Sequence, residues 1–292
     1  MANRDIVVIG ASAGGVEALR DLCAALPSDI PAALFVVWHI PSHSLGMLPR
    51  ILQPVSQLPI ANAIDGQAIM PGTVTVAPPD YHMLLENDRV RLTQGPRENR
   101  FRPAVDPLFR SAAFYGGPRA IGVVLAGSLD DGTSGLWAIK DRGGIAIAQD
   151  PTDALFPDMP QNAIRNVNVD YVLPAREMGD LLARLTREPI DPPETDAPSG
   201  LGLEVESAAM MTTDDGDMSR LGELSQFTCP ECHGSLWRIY EGKIVRFRCR
   251  TGHAYSSETL LDELTESIER TLWASVRGLE ENATLLEHLG RH

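Results

Sequence analysis

A doubly wound, mostly parallel α/β sheet in a Rossmann-like three-layer arrangement is the fold this 292-residue sequence predicts. Three observations carry it. Short apolar runs rich in β-branched residues recur along the first two thirds of the chain, as buried parallel strands require. Helix-patterned stretches lie between them, and glycines sit where a strand must turn sharply into a helix. At 43% hydrophobic and 22% charged, the chain can bury a large core and carry a smaller second unit.

Ile6-Val7-Val8-Ile9 reads as the first buried strand, and Gly10-Ala11-Ser12-Ala13-Gly14-Gly15 as its exit turn. Val16, Leu19, Leu22, Cys23 and Leu26 recur at helical spacing and predict a helix that stops before Pro27, with Cys23 a small buried hydrophobe on its stripe. Ala33 to Trp38 is a second strand, so the unit is β-α-β and the pair is parallel. Thr73 to Val76 and Arg89 to Leu92 are shorter strands, the latter pairing back through the loop after Leu85. Further strands are expected at Ala120 to Leu125, at Ile145 to Ala148 after Gly143-Gly144, and at Tyr171 to Leu173, with a helix from Ala175 to about Arg187.

From Pro189 the composition turns polar, acidic and aperiodic. The expected organisation is an α/β domain over 1–188, an acidic disordered linker over 189–222, a small cysteine-bearing module over 223–256 and an amphipathic helical tail over 257–292.

A net charge of -14 argues against nucleic acid as a partner. The N-terminal residues lack a basic region, and the first apolar run is too short for a signal or a membrane span, which predicts a cytoplasmic protein without membrane insertion. Four cysteines, three of them clustered late in the chain, do not make a secreted disulfide scaffold.

In an open parallel sheet the loops leaving the carboxyl ends of the strands gather at one rim. Ser12, His39 and the pair Asp130-Asp131 all fall there. Gly-x-Ser-x-Gly after a strand is the pattern of a nucleophile elbow. A serine needs an imidazole to take its proton, and the imidazole needs a carboxylate to fix its tautomer. The chain order Ser, His, Asp differs from the Ser, Asp, His order of α/β-hydrolases. A phosphate-binding turn is the other reading of the glycines. It requires glycine where Ser12 stands and an acidic ribose ligand where His39 lies. His82 is a rival base, Asp130 a rival carboxylate, and His43 a loop residue. Asp106 and Asp150 read as turn or cap residues. Arg97, Arg100, Arg102 and Arg110 form a basic patch, either a solvated loop or a surface for acidic helices.

Several blocks are similar to the catalytic domain of chemotaxis protein-glutamate methylesterases: Val8 to Ala18, Trp38-His39-Ile40-Pro41, Ala77 to His82, Arg102 to Phe109, Leu125 to Gly132 and Ala148-Gln149-Asp150. They run in the family's order over roughly residues 4–187. The resemblance implies hydrolysis of γ-glutamyl methyl esters on chemoreceptor-type signalling proteins, commonly with deamidation of receptor glutamines. It places the nucleophile on Ser12, the base on His39 and the orienting carboxylate on Asp131, and needs no cofactor for catalysis. Amides around Ala13 and Gly14 would hold the oxyanion. Activity should fall as pH drops through the ordinary histidine range near ~6.5. Gly127-Ser128-Leu129 departs from the family's usual Gly-Met-Gly. The usual N-terminal receiver domain is not expected either, which leaves control to a regulator in trans, to the C-terminal extension, or to none. The rival readings are a non-catalytic signalling adaptor on the same fold, and an esterase for a small molecule or a non-chemotaxis protein.

Cys229-x2-Cys232 followed by Cys249-x3-His253 has the spacing of a zinc ribbon, with Leu236 to Tyr240 and Ile244 to Phe247 as a hairpin around Glu241-Gly242-Lys243. Four protein ligands leave no open position, so the zinc would be structural. Beyond it, Leu260, Leu264, Ile268, Leu272, Val276, Leu279, Ala283 and Leu286 form one apolar stripe, suited to pairing with a second copy or to docking on the α/β domain.

Overall fold

The computed structural model describes residues 2–190, 198–209 and 215–291. Among these, seven parallel strands form the central sheet: β1 (Ile6–Ala11), β2 (Ala33–Trp38), β3 (Ile60–Asn62), β4 (Val74–Val76), β7 (Ala120–Val124), β8 (Ile145–Gln149) and β9 (Tyr171–Leu173). Their spatial order is β9-β8-β7-β1-β2-β4-β3. A hairpin of β5 (His82–Glu86) and β6 (Arg89–Thr93) stands apart from this sheet. Its first strand is more regular than the sequence suggested, because Leu84 and Leu85 are buried at its centre.

Side chains alternate across each strand, so β1 divides its residues between two cores. Val7 and Ile9 face α1 (Gly15–Ala25), α2 (Leu48–Leu52) and α6 (Met178–Leu185). Ile6 and Val8 face α3 (Val105–Gly116), α4 (Thr133–Asp141) and α5 (Asp158–Asn166). With both faces covered, all six residues of β1 are buried. This is the three-layer, doubly wound arrangement expected from the apolar runs.

After the sheet the chain departs from the sequence reading. Ser199–Ala208, expected inside an aperiodic linker, forms helix α7, which packs against α3 and buries Glu204, Val205, Ser207 and Ala208. The segment looked solvated because its buried glutamate meets arginines from distant parts of the chain rather than water. Helix α8 spans Asp215–Leu221. The remaining linker residues, 191–197 and 210–214, lie outside the described residues.

The C-terminal module is a four-stranded antiparallel sheet of β10 (Glu223–Thr228), β11 (Ser235–Glu241), β12 (Ile244–Cys249) and β13 (Ala254–Ser256). The outer strands β10 and β13 extend the hairpin read from the sequence. Helix α9 (Ser257–Gly290) comes next, capped by the Ser256 side chain, which accepts from the Thr259 N–H. At 34 residues it is about 51 Å long. Leu260 is buried at its start, whereas Ile268, Leu272, Val276 and Leu279 are exposed further along.

Candidate active site

Ser12 leaves the carboxyl end of β1 with its backbone tied on both sides. Its N–H donates to Ala126 O at 2.9 Å, and its carbonyl accepts from the Gly15 N–H at 3.0 Å and from Trp38 Nε1 at 2.9 Å. Gly14 caps α1 in the left-handed region (φ 69°), where a side chain would also collide with Leu155 and Phe156. The turn therefore lifts the Ser12 hydroxyl over the start of α1.

His39 lies just beyond β2, its N–H donating to Ala11 O at 3.0 Å. Its Nδ1 lies 3.1 Å from Ser12 Oγ and its Nε2 2.7 Å from Asp131 Oδ2. The imidazole stacks on Phe101 with ring centroids 3.7 Å apart and planes 9° from parallel. His39 and Asp131 are buried, and Ser12 is half-buried. The structure thus brings Ser12, His39 and Asp131 into one line.

Asp131 Oδ2 also accepts from the Val105 N–H at 2.7 Å, and Oδ1 from Asn99 Nδ2 at 2.9 Å, Gly132 N at 3.0 Å and Asp106 N at 3.3 Å. Burial alone would push this carboxyl up. The hydrogen bonds from His39, Val105 and Asn99 outweigh burial and hold it at about 2. An ionised carboxylate only accepts, so Nε2 carries the imidazole hydrogen and Nδ1 presents a lone pair to Ser12.

The neighbouring Asp130 turns away from His39. It accepts from Ser256 Oγ at 2.7 Å, and burial, reinforced by Glu258, raises it to about 6 against that hydrogen bond. His82 is buried, with Nε2 donating to Pro96 O at 2.9 Å and Nδ1 accepting from the Ala104 N–H at 3.3 Å. Burial lowers its basicity, and both nitrogens are engaged by backbone, so it holds structure rather than a proton for Ser12. Asp150 closes a turn onto Thr152. Asp106 Oδ1 accepts from the Gly135 N–H at 2.7 Å, and its carboxyl is raised well above the usual range by burial and by Asp131.

The arginines expected to form a patch are dispersed. Arg102 pairs with Asp80, Arg100 with Glu263 and Glu266 of α9, and Arg110 is buried against Glu98. Glu98 also meets Arg248 at 2.7 Å. Glu204 meets Arg248 at 2.6 Å and Arg246 at 3.3 Å, and Arg246 meets Glu241 at 2.5 Å. This buried network joins α3, α7 and β12. Asn99 and Phe101, which touch Asp131 and His39, carried no pattern in the sequence that marked them.

In the module, Cys229, Cys232, Cys249 and His253 offer donor atoms all within 4.8 Å of one another. Cys232 Sγ lies 3.6 Å from Cys249 Sγ, too far for a disulfide, and His253 Nδ1 lies 3.7 Å from Cys229 Sγ and 3.6 Å from Cys249 Sγ. The edges of a tetrahedron with metal–sulfur bonds near 2.3 Å are about 3.5–3.8 Å long. Glu231 Oε2, 3.2 Å from His253 Nε2, turns the other ring nitrogen toward the sulfurs. Among the described residues no helix is long and apolar enough to cross a membrane.

A doubly wound sheet with hydroxyl, imidazole and carboxylate in line at its rim has the architecture of a serine ester hydrolase. The comparisons narrow the class. The family model described as CheB methylesterase matches residues 7–182, and the chain belongs to that family. It is 42% identical over 186 residues to a protein-glutamate methylesterase/protein-glutamine glutaminase of Anaeromyxobacter dehalogenans, covering 62% of this chain and 51% of that protein. A Leptospira interrogans relative bearing that name provisionally is 38% identical over 190 residues, which span 65% of this chain and 98% of the relative. The solved catalytic domain of the Thermotoga maritima CheB methylesterase superposes with a TM-score of 0.60 at 35% identity, covering 63% of this chain and all of that domain. The matched region thus spans about half the length of some relatives and nearly all of others.

Proposed function

We propose that this protein hydrolyses γ-glutamyl methyl esters on chemoreceptor-type signalling proteins through an acyl-enzyme on Ser12. The observation that carries the reading is His39, which bridges Ser12 Oγ and Asp131 through its two ring nitrogens. Ser12 Oγ attacks the ester carbonyl while His39 Nδ1 takes its proton. Asp131 stabilises the imidazolium through Nε2–H. The amides of Ala13 and Gly14, at the positive end of α1, receive the oxyanion. His39 returns the proton to methoxide and methanol leaves. Water, deprotonated by His39, then releases the glutamate and restores Ser12. The same steps on a glutamine side chain release ammonia, so the proposal includes glutaminase activity.

Cys229, Cys232, Cys249 and His253 are proposed to hold a structural zinc ion. Their spacing in sequence, three donor separations of 3.6–3.7 Å and the gathering of all four donors within 4.8 Å support a tetrahedral Cys3His site. Native mass spectrometry should find one zinc per chain, lost in Cys249→Ser; a metal-free wild type overturns the assignment.

The test of the main reading is methanol release from methylated receptor fragments by wild type and Ser12→Ala. Removing such a nucleophile lowers kcat on the order of 10⁴–10⁶-fold. Equal rates overturn the mechanism.

A further inference from the structure

Residues 97–102 touch both His39 and Asp131 and are held from outside by the C-terminal module. Phe101 stacks on His39, and Asn99 Nδ2 donates to Asp131 Oδ1 at 2.9 Å and to Asp106 Oδ2 at 3.1 Å. Asn99 and Arg100 both have positive φ, 47° and 75°, as the centre of a tight turn that the Glu98 and Phe101 backbones close with hydrogen bonds of 2.9 and 3.2 Å.

Strand β13 anchors this turn from outside. The Asn99 N–H donates to Ala254 O at 2.8 Å, the Ala254 N–H to Arg97 O at 3.4 Å, and the Ser256 N–H to Asn99 Oδ1 at 2.9 Å. The last bond settles which way the amide faces. With Oδ1 taken by Ser256, Nδ2 must point at Asp131. Buried Arg248 of β12 holds Glu98, and Arg100 reaches Glu263 and Glu266 on α9. Ser256 Oγ meanwhile donates to Asp130, next to Asp131 in the chain.

We propose that the C-terminal module is a working part of the active site, with Asn99 the positioning residue through which β13 sets the Asp131–His39 pair. The inference rests on the reading of Ser12, His39 and Asp131 given above. Asn99 never meets substrate. It orients the carboxylate that orients the imidazole, and Phe101 fixes the plane of that ring. Release of β13 frees both contacts together, so displacement of the module lowers activity without touching Ser12.

The test uses the full chain and a fluorophosphonate probe that phosphonylates an activated serine, read beside the low-field proton resonance of His39 Nε2–H. Asn99→Asp keeps the size and the acceptor toward Ser256 but loses the donor to Asp131; Asn99→Ala loses both. Ser256→Pro deletes the N–H that aims Asn99, at a residue whose φ of -69° proline accepts. Ser256→Ala removes the same hydroxyl but keeps the N–H, so the difference between the two isolates the backbone bond. The expected result is labelling slowed at least 10-fold in both Asn99 variants, and in Ser256→Pro relative to Ser256→Ala. The low-field proton should shift or vanish in the same three, with circular dichroism unchanged. Wild-type labelling and an unmoved proton in the Asn99 variants overturn the proposal, as does a Ser256→Pro chain indistinguishable from Ser256→Ala. A wild type that takes no label defeats the reading of Ser12 instead, and the proton resonance, which needs no nucleophile, still decides the role of Asn99.

Discussion

The Nε2 of His39 lies 2.7 Å from Asp131 Oδ2 across 92 residues of chain, and this bond determines which ring nitrogen is free to serve Ser12. Asp131→Asn replaces a pure acceptor with a group that donates, and so favours the tautomer with its hydrogen on Nδ1. That nitrogen then cannot accept from Ser12 Oγ. A fall in kcat on the order of 10⁴-fold is expected, with the fold intact by circular dichroism. Methanol release within 10-fold of wild type would contradict the tautomer argument.

Asp130 makes stability depend on pH. Its carboxyl is raised from 3.8 to about 6, so the folded protein holds that proton more tightly than the unfolded chain does. The stability this confers is complete below about 4 and lost as pH rises through about 6, a swing of roughly 3 kcal/mol. Asp130→Asn should be more stable than wild type at pH 8 by ~1–3 kcal/mol and should converge with it at pH 4. Urea unfolding at the two pH values measures both.

Gly10 is expected to tolerate no side chain. A Cβ there would run into the Cγ atoms of Val105, whose N–H donates to Asp131. Gly10→Ala should lower stability by about 1–3 kcal/mol through overpacking and slow the reaction by displacing Val105. Adding Val105→Ala should restore part of both losses, since the two residues share one contact. Additive losses in the double variant would place the strain elsewhere.

Glu204 ties α7 to Arg246 and Arg248 in the interior. Glu204→Gln leaves buried guanidinium charge short of a partner, and a loss of about 3–5 kcal/mol is expected in equilibrium unfolding. A change below 1 kcal/mol would mean that Glu98 and Glu241 suffice for both arginines.

How much of this was legible depended on the range of the cause. The strands announce themselves because burial on both faces demands continuous apolar runs such as Ile6-Val7-Val8-Ile9. Ser12, His39 and Asp131 could be gathered because a parallel sheet sends all its strand exits to one rim. The spacing of Cys229, Cys232, Cys249 and His253 is local, and it too could be read directly. Helix α7 could not be, since Glu204 resembles any solvated glutamate until Arg246 and Arg248 are placed beside it. Asn99 escaped for the same reason. Its partners Asp131 and Ser256 lie 32 and 157 residues away, and no spacing rule links them. The arginines between 97 and 110 misled, because charge along a sequence carries no sign of what it faces.

The order of strands across the sheet also bears on synthesis. Of the seven strands in the central sheet β1 is made first, yet it is flanked by β2 on one side and by β7 on the other, with Ile6 paired to Ala120. At translation rates of ~5–20 residues per second, on the order of ten seconds separate the emergence of Ser12 from that of Asp131. During that interval the serine has neither its second flanking strand nor the carboxylate that readies its histidine. The hydroxyl, imidazole and carboxylate can therefore come into line only after β7 has been made and the sheet has closed on both sides of β1.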